Sequence, residues 1–133
     1  MKKEKWLVCG SRIKNNPKYK QVVFKELDRI YDMHQELIDK GLWELECIIE
    51  GECPDSADVY SKAWAQQNDI DVKPFPSEKG KYLTRNAEMV WAVGDGEVFA
   101  FWNGYSYGTA QTMGQAILQG KPITAIDLFK ELR

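Results

Sequence analysis

Residues 85–122, RNAEMVWAVGDGEVFAFWNGYSYGTAQTMGQAILQGKP, contain the pattern that decides the fold. The run VFAFW is typical of a buried strand, and the loop WNGYSYGT after it contains two glycines. TAQTMGQAILQ then places small or apolar residues at helical spacing, namely Ala110, Met113, Ala116 and Ile117. A strand, a glycine-rich loop and a helix N-terminus form an anion site, because the free N–H groups and the helix dipole favour a phosphate. The stretch therefore predicts a nucleotide or nucleotide-like ligand.

The composition excludes several classes of partner. The 133 residues are 44% hydrophobic and 29% charged, with a formal net charge of −2. This length predicts one domain, residues 1–133, with a core of its own. No basic arm or stripe is present, so duplex nucleic acid is not an expected partner. No apolar run approaches the roughly 20 residues of a membrane helix, and WLVCG is too short for a signal peptide, so no membrane contact is expected.

The cysteines and the single histidine offer little chemistry. Cys9, Cys47 and Cys53 are odd in number and have no CxxC spacing, which argues against a disulfide framework or a zinc site. A reduced, cytoplasmic setting follows as the simplest expectation. Cys9 and Cys47 lie in apolar strand runs and are predicted core residues, and His34 falls in an amphipathic helical pattern that favours a packing role. No metal or cofactor is predicted, although a magnesium ion travelling with the ligand stays open.

Strand and helix signals alternate along the whole chain. Such alternation predicts an α/β, Rossmann-like three-layer sandwich: a parallel five-stranded sheet of order 3-2-1-4-5 with helices on both faces. The third strand is expected at a sheet edge because it contains proline. The predicted strands cover residues 5–10, 45–51, 70–76, 98–102 and 120–127. The predicted helices cover residues 19–40, 57–64, 85–93 with Thr84 as its cap, 109–119 and 128–133, with Asp55 or Ser56 capping the second.

The loops at the carboxyl ends of the strands contain the candidate ligand residues, because ligands of such sheets bind at that edge. Gly10-Ser11-Arg12 follows the first strand, where the glycine allows close approach of the backbone, Ser11 offers a hydroxyl and Arg12 a forked cation for phosphate. The alternative is a turn glycine beside a solvated arginine.

Arg85 and Asn86 lie where a helix is predicted to begin. The dipole is already positive there, so an arginine makes more sense as half of an anion site than as a stabilising residue. The alternative, weighed equally on the residues alone, is a surface arginine paired with Glu88 or Asp58.

Residues 104–109 are the candidate phosphate loop. Gly104 and Gly108 suit a loop that closely approaches a ligand, and Thr109 can cap the following helix or bind a phosphate oxygen. Tyr105 and Tyr107 are candidates to stack on a base, a contact worth roughly 1–3 kcal/mol. The alternative is an ordinary turn from strand to helix.

Four carboxylates cluster after the second strand: Glu50, Glu52, Asp55 and Asp58. They suit general acid/base chemistry, ribose hydroxyls or a hard metal ion. Helix capping accounts for Asp55 and Asp58 in the alternative interpretation, which leaves Glu52 as the least explained of the four.

Taken in order, these pieces resemble the SLOG superfamily of Rossmann-like proteins, in particular its short stand-alone YspA-like branch of bacteria and phages. The branch pattern is GSR after the first strand, a GGAxGAD-type loop after the second, a WA-bearing helix, an RNxxM helix start and a GTxxxxxxA stretch that ends in GKP or GIP. The match runs through almost the whole chain. It comprises Gly10-Ser11-Arg12, residues 51–58, Trp64-Ala65, Arg85-Asn86 with Met89, Gly108-Thr109 with Ala116, and Gly120-Lys121-Pro122.

The resemblance implies binding of a nucleotide or an ADP-ribose-like signal. By similarity, Arg85 would hold phosphate or ribose, and residues 104–109 would hold phosphate. Some relatives, of the lonely-guy type, are phosphoribohydrolases that cleave the N-glycosidic bond of a nucleoside monophosphate, and nucleoside deoxyribosyltransferases have a cousin fold. Because relatives often form dimers or larger assemblies, a homo-oligomer is expected.

Two departures from the family pattern favour binding over hydrolysis. The enzymes have a glutamate three residues after the threonine of the GT pair, and this chain has Thr112 there. The second loop has Glu52 where a second glycine is usual, and a glutamate would repel a phosphate but could bind ribose hydroxyls.

Three hypotheses follow. The leading one is a sensor or sequestering protein in which Gly10, Gly51 and Gly104 shape the loops and a tyrosine meets the base. Its phosphate ligands would be Ser11, Arg12, Arg85 and Thr109, and its ribose ligands Glu52 and Asn86. The second is a glycosidase or glycosyl transferase with Glu52 or Glu88 as substitute acid/base. The third is an interaction protein with a vestigial pocket and an exposed aromatic patch.

Overall fold

Five parallel strands form a single sheet in the computed structural model, which describes residues 1–133. The strands are β1 (Lys2–Gly10), β2 (Trp43–Glu50), β3 (Asp71–Pro74), β4 (Glu97–Trp102) and β5 (Ile123–Asp127). The helices are α1 (Pro17–Asp32), α2 (Gln35–Asp39), α3 (Ala57–Gln67), α4 (Tyr82–Ala92), α5 (Tyr107–Leu118) and α6 (Leu128–Glu131). The strand order is β3-β2-β1-β4-β5, so the predicted Rossmann-like α/β fold and its order are confirmed.

Alternating side chains of the strands supply two separate cores, one on each face of the sheet. Trp6 and Val8 of β1 belong to a cluster of 16 buried residues that includes α1, α3 and α6, whereas Leu7 belongs to a cluster of 8 beneath α4 and α5. Each fully buried large side chain contributes about 1.5–3 kcal/mol through removal of its apolar surface from water. The helices therefore cover both faces, as predicted.

The helix predicted over residues 19–40 is in fact two helices, α1 and α2. Asn16 caps α1 by accepting from the Lys18 N–H, and the first helical residue is a proline, whose missing N–H costs nothing there. The break occurs at His34, whose Nδ1 bonds to the Ile30 carbonyl and whose ring stacks on Trp43 at 4.0 Å. The predicted packing role of His34 is thus confirmed. Both contacts of its ring occur where α1 ends.

Two other helix starts differ from the prediction. The cap of α4 is Lys81 rather than Thr84, which lies inside the first turn. The N-cap of α5 is Ser106 rather than Thr109, so Thr109 is the third helical residue. The start of α3 agrees with the prediction: of the two candidate caps, Asp55 and Ser56, it is Ser56 that accepts from the Asp58 N–H. The starts of α4 and α5 lie two or three residues before the predicted ones, because the exposed tyrosine and leucine residues at these helix ends give no periodic signal.

The edges of the sheet agree with the sequence. β3 is an edge strand, as predicted, and its last residue is Pro74. Proline has no N–H to donate, and at an edge this does not remove a hydrogen bond between two central strands. Gly41, predicted to follow the end of the helix before β2, has φ +69. No helix is both long enough and apolar enough to cross a bilayer.

Candidate functional site

A cavity of about 760 Å³ lies at the carboxyl ends of the strands. Its walls are the chain after β1, the loop after β2, the segment between β3 and α4, and the first turns of α4 and α5. This is the edge where the strand order reverses between β1 and β4, the usual ligand site of such sheets. The volume is within the range of small-molecule sites, about 300–1,000 Å³.

Hydrogen bonds connect the segment after β1 with the loop after β4 at one end of the cavity. The Ser11 hydroxyl accepts from the Asn103 N–H at 3.0 Å and lies 2.6 Å from the Ser106 hydroxyl. The Asn103 side chain in turn accepts from the N–H groups of Tyr105 and Ser106. Ser11 is 1% exposed, and its hydroxyl is already occupied within the chain. The residue therefore holds the loop in place, and its contact with a phosphate stays a prediction.

The first turn of α5 presents unpaired donors to the cavity. The N–H groups of Tyr107, Gly108 and Thr109 have no acceptor within the chain, because the first helical bond is that of Ala110 to Ser106. Thr109 is 6% exposed and its hydroxyl has no partner, although the residue lines the cavity. These donors and the positive end of the helix dipole suit an anionic oxygen.

Arg85 connects three parts of the cavity wall. Its Nη1 donates to the carbonyls of Gly51 at 2.8 Å and Phe75 at 3.0 Å, and its Nε donates to the Asn86 side chain. Neither Glu88 nor Asp58 forms an ion pair with it within 4.0 Å, so the alternative of a surface pair does not hold. Nη2 makes no bond within the chain, so one face of the guanidinium stays available.

The Asn86 side chain is 4% exposed and bonded at both ends. Its oxygen accepts from Arg85, and its nitrogen donates to the Gln111 side chain at 2.8 Å. Asn86 therefore positions Arg85 and Gln111. The amide nitrogen of Gln111 has no partner within the chain, because only its oxygen is used by Asn86.

Asp58 holds the loop after β2 in its conformation. Its Oδ2 accepts from the N–H groups of Gly51 at 3.1 Å and Cys53 at 3.4 Å. Burial raises the pKa of this carboxyl to about 6, while those hydrogen bonds and the charge of Arg85 oppose the shift. Asp58 lines the cavity and is 4% exposed. The alternative interpretation, that Asp58 caps the helix, does not hold, because the N-cap of α3 is Ser56.

Gly51 lies between the two charged groups of this wall. A Cβ placed there would be 2.6 Å from Arg85 Nη1 and 2.9 Å from Asp58 Oδ2. Both distances are too short for real contacts, so only glycine allows the guanidinium and the carboxylate to approach the same stretch of backbone. The requirement is packing, since its φ is not in the left-handed region.

Two other charged residues of the cavity have partners at its rim. Glu52 has φ +58, and its carboxylate lies 3.6 Å from Lys62. Arg12 is half exposed, with its Nε 3.9 Å from Asp55. At that distance and exposure the Arg12 pair is weak, so an anionic ligand can compete for Arg12.

The structure brings ten of the eleven predicted ligand residues to this one cavity. Gly104 is the exception: it has φ +93 and shapes the loop without lining the cavity. Glu88, offered as a substitute acid/base, is exposed and lines a different cavity, formed by β3, α4 and the residue that follows α5. The predicted residues on the cavity wall are Gly10, Ser11, Arg12, Gly51, Glu52, Arg85, Asn86, Tyr107, Gly108 and Thr109.

Several wall residues were not among the predicted ligand residues. Gln111 and Thr112 follow Thr109 within one turn, so helical spacing from the phosphate loop offered a signal for them. Cys9 and Cys53 also line the cavity, and burial raises the pKa of both thiols, so neither is an activated nucleophile. Tyr105, a candidate for base stacking, is 82% exposed and lies outside the wall.

No group of three or more His, Cys, Asp or Glu side chains is arranged to hold a metal ion.

The chain matches no protein-family model, and no curated protein matches its sequence. The resemblance to SLOG proteins thus remains a prediction from the motifs.

Proposed function

We propose that the protein binds a small nucleotide or a nucleotide-derived, ADP-ribose-like ligand in this cavity, as a sensor or a sequestering protein. The observation that carries the proposal is the convergence of two arginines and the unpaired N–H groups of α5 on one cavity at the strand switch point. A phosphate at the start of α5 would satisfy donors that have no other acceptor.

The surroundings suit the remaining parts of such a ligand. Tyr107 is 75% exposed at the cavity rim, where its ring can stack on a base. Glu52 and Gln111 are suited to bind ribose hydroxyls, because the Glu52 carboxylate accepts hydrogen bonds and the Gln111 amide nitrogen donates them. Thr112 stands where related enzymes have a glutamate, which supports binding without turnover.

Thermal unfolding against nucleoside mono-, di- and triphosphates, NAD, ADP-ribose and cyclic nucleotides tests the proposal. A ligand present at one hundred times its dissociation constant adds about 2.7 kcal/mol to the stability of the folded state. For a domain of this size the midpoint rises by several degrees. If none of these compounds shifts the midpoint, the proposal is refuted.

A matched pair of variants then places the ligand. Arg12→Gln should weaken the binding found in the panel by roughly tenfold or more, because a charge-assisted bond to phosphate is lost. Arg29→Gln is the control, since Arg29 is similarly exposed, has its own carboxylate partner and lies on α1. Equal affinities for the two variants would contradict the assigned site.

A glycosidase is the second candidate function, and Asp58 is the observation that favours it. This carboxylate borders the cavity, and its raised pKa of about 6 lies close to the range suited to a general acid. The test is release of free base from nucleoside monophosphates by the wild-type protein and by Asp58→Asn, with folding checked by circular dichroism. Absence of free base with every nucleotide eliminates this function and leaves the binding proposal intact.

A further inference from the structure

Tyr82 is an aromatic residue of the cavity wall that the packing of the protein does not explain. It is the first residue of α4 and is 54% exposed, and it belongs to neither of the two core clusters. The sequence pattern gave no sign of it, because the helix was predicted to begin three residues later. Its place on the wall leaves the ring available to a ligand.

Tyr107 has the equivalent position on α5. It is the first residue of that helix, and it also lines the cavity. α4 and α5 lie on the same face of the sheet, since Met89 of α4 and Ala116 of α5 belong to one core cluster. Each helix follows one parallel strand and precedes the next, so both begin at the carboxyl edge and run in the same direction. Helical side chains lean toward the N-terminus, and both rings therefore lean toward the cavity mouth.

A hydrogen bond one turn further along places the two tyrosines opposite each other. The Asn86 side chain of α4 donates to the Gln111 side chain of α5 at 2.8 Å. Asn86 follows Tyr82 by four residues, and Gln111 follows Tyr107 by four residues. Residues four apart lie on the same face of a helix. The two side chains that bond across the groove between α4 and α5 thus lie below the two tyrosines, which form the opposite sides of this groove at its mouth.

The spacing of the two helices allows a flat ring to enter between the tyrosines. The axes of packed helices are about 8–10 Å apart. A ring stacked between two others needs about 7–8 Å, because carbon atoms in contact are about 3.5–4 Å apart. Leu83 and Pro76 also line this part of the cavity, so its surroundings are apolar as well as aromatic. The groove therefore suits a planar aromatic group.

The same helix start holds the groups that suit an anion. The unpaired N–H groups of Gly108 and Thr109 directly follow Tyr107. A molecule that uses both features has a planar ring and a phosphate separated by only a few bonds, which is the arrangement in a nucleotide.

We propose that Tyr82 and Tyr107 form a clamp that holds the base of the ligand between their rings. The site then selects phosphorylated compounds that have an aromatic base over sugar phosphates that have none. This role rests on the proposed function, which puts the phosphate at the start of α5. The clamp distinguishes a base from no base, and not one base from another, because every base has a π face.

Isothermal titration calorimetry tests the clamp with each compound that shifts the midpoint in the thermal panel and with ribose 5-phosphate. Tyr82→Ala should weaken the binding of the base-containing compounds by roughly tenfold, because one stacked ring is lost. Tyr82→Phe should retain the wild-type affinity, since it keeps the ring. Ribose 5-phosphate should bind to the wild type at least tenfold more weakly than these compounds.

Tyr105→Ala is the matched control, because Tyr105 is an exposed tyrosine of the neighbouring loop that lies outside the cavity wall. Its affinities should equal those of the wild type. Tyr82 and Tyr105 are both exposed, so circular dichroism should show unchanged folding.

The possible failures are distinct. If no compound of the panel binds, the proposed function and the clamp are both refuted. If nucleotides bind equally well to the wild type and to Tyr82→Ala, the clamp is refuted and the proposed function stands. A wild-type protein that binds ribose 5-phosphate as tightly as AMP also refutes the clamp, since the base then contributes nothing to binding.

Discussion

Replacement of Glu50 by glutamine should change how the stability of the protein depends on pH. Glu50 ends β2 and is 0% exposed. Its Oε1 accepts from the Glu52 N–H at 2.9 Å, but its Oε2 is buried and has no hydrogen-bond partner. An ionised carboxylate with one unsatisfied oxygen is costly to bury.

The size of the effect follows from the pKa of this carboxyl. Burial, with smaller contributions from the neighbouring charges of Asp58 and Glu52, raises the pKa of Glu50 from 4.5 to about 7, while the hydrogen bond from the Glu52 N–H opposes the shift. The folded protein thus binds this proton more tightly than the unfolded chain does. The resulting stabilisation is complete below pH 4.5 and is lost as the pH rises through 7. Between pH 5 and pH 8 the loss from this residue is about 2.5 kcal/mol.

Urea unfolding at pH 5 and at pH 8 measures the difference. The free energy of unfolding of the wild type should fall between these pH values by about 2.5 kcal/mol more than that of Glu50→Gln. Asp58 contributes a change of the same sign in both proteins, and the part of it that does not depend on the charge of Glu50 cancels from the comparison. The comparison also does not depend on the cost of placing an amide at this position, because that cost is present at both pH values.

Glu46→Gln is the control, since Glu46 is an exposed carboxylate on the same strand with Lys5 at 3.4 Å. It should retain the full pH dependence of the wild type. If Glu50→Gln and the wild type lose the same free energy between pH 5 and pH 8, Glu50 is not protonated in the folded state, and the reasoning is refuted.

Three simpler substitutions test the packing around the cavity and the caps, each by urea unfolding. Gly51→Ala should destabilise the protein by about 1–3 kcal/mol, because the new Cβ collides with Arg85 and Asp58. Gly108→Ala is its counterpart in open space and should be neutral or stabilising by up to about 1 kcal/mol; a loss equal to that of Gly51→Ala would show that the collision is not the cause. Asn16→Ala should cost about 1 kcal/mol through the lost cap of α1, and an unchanged midpoint would show that this cap contributes nothing.

The topology was accessible from the sequence because it depends on signals that repeat along the chain. The apolar runs of β1, β2 and β4 are buried on both faces, and the glycines and proline between the elements mark turns by local sterics. With alternating strands and helices, the handedness of the crossovers leaves few strand orders. The edge position of β3 followed from one residue, Pro74.

The placement of most candidate ligand residues followed from the same rule. Loops after parallel strands meet at one edge, so residues as distant as Arg12, Glu52 and Thr109 were expected to converge without knowledge of any contact. Glu88, the other candidate for acid/base chemistry, is exposed and lines a different cavity, because the buried face of α4 is formed by Asn86, Met89 and Val90.

Tertiary contacts alone decided which polar side chains of the site bond within the protein and which remain free. Ser11, Asn86 and Asp58 have the chemistry of ligand residues or caps, yet their side chains are used by Asn103, Gln111 and the backbone of the loop after β2. A sequence shows which groups can donate or accept, whereas their partners come from other strands and helices tens of residues away. By itself the sequence determined the fold and the edge of the sheet that holds the cavity, because both depend on local periodicity and chirality. Only the folded chain decided which donors and charges remain free for a ligand, because buried polar groups first satisfy one another.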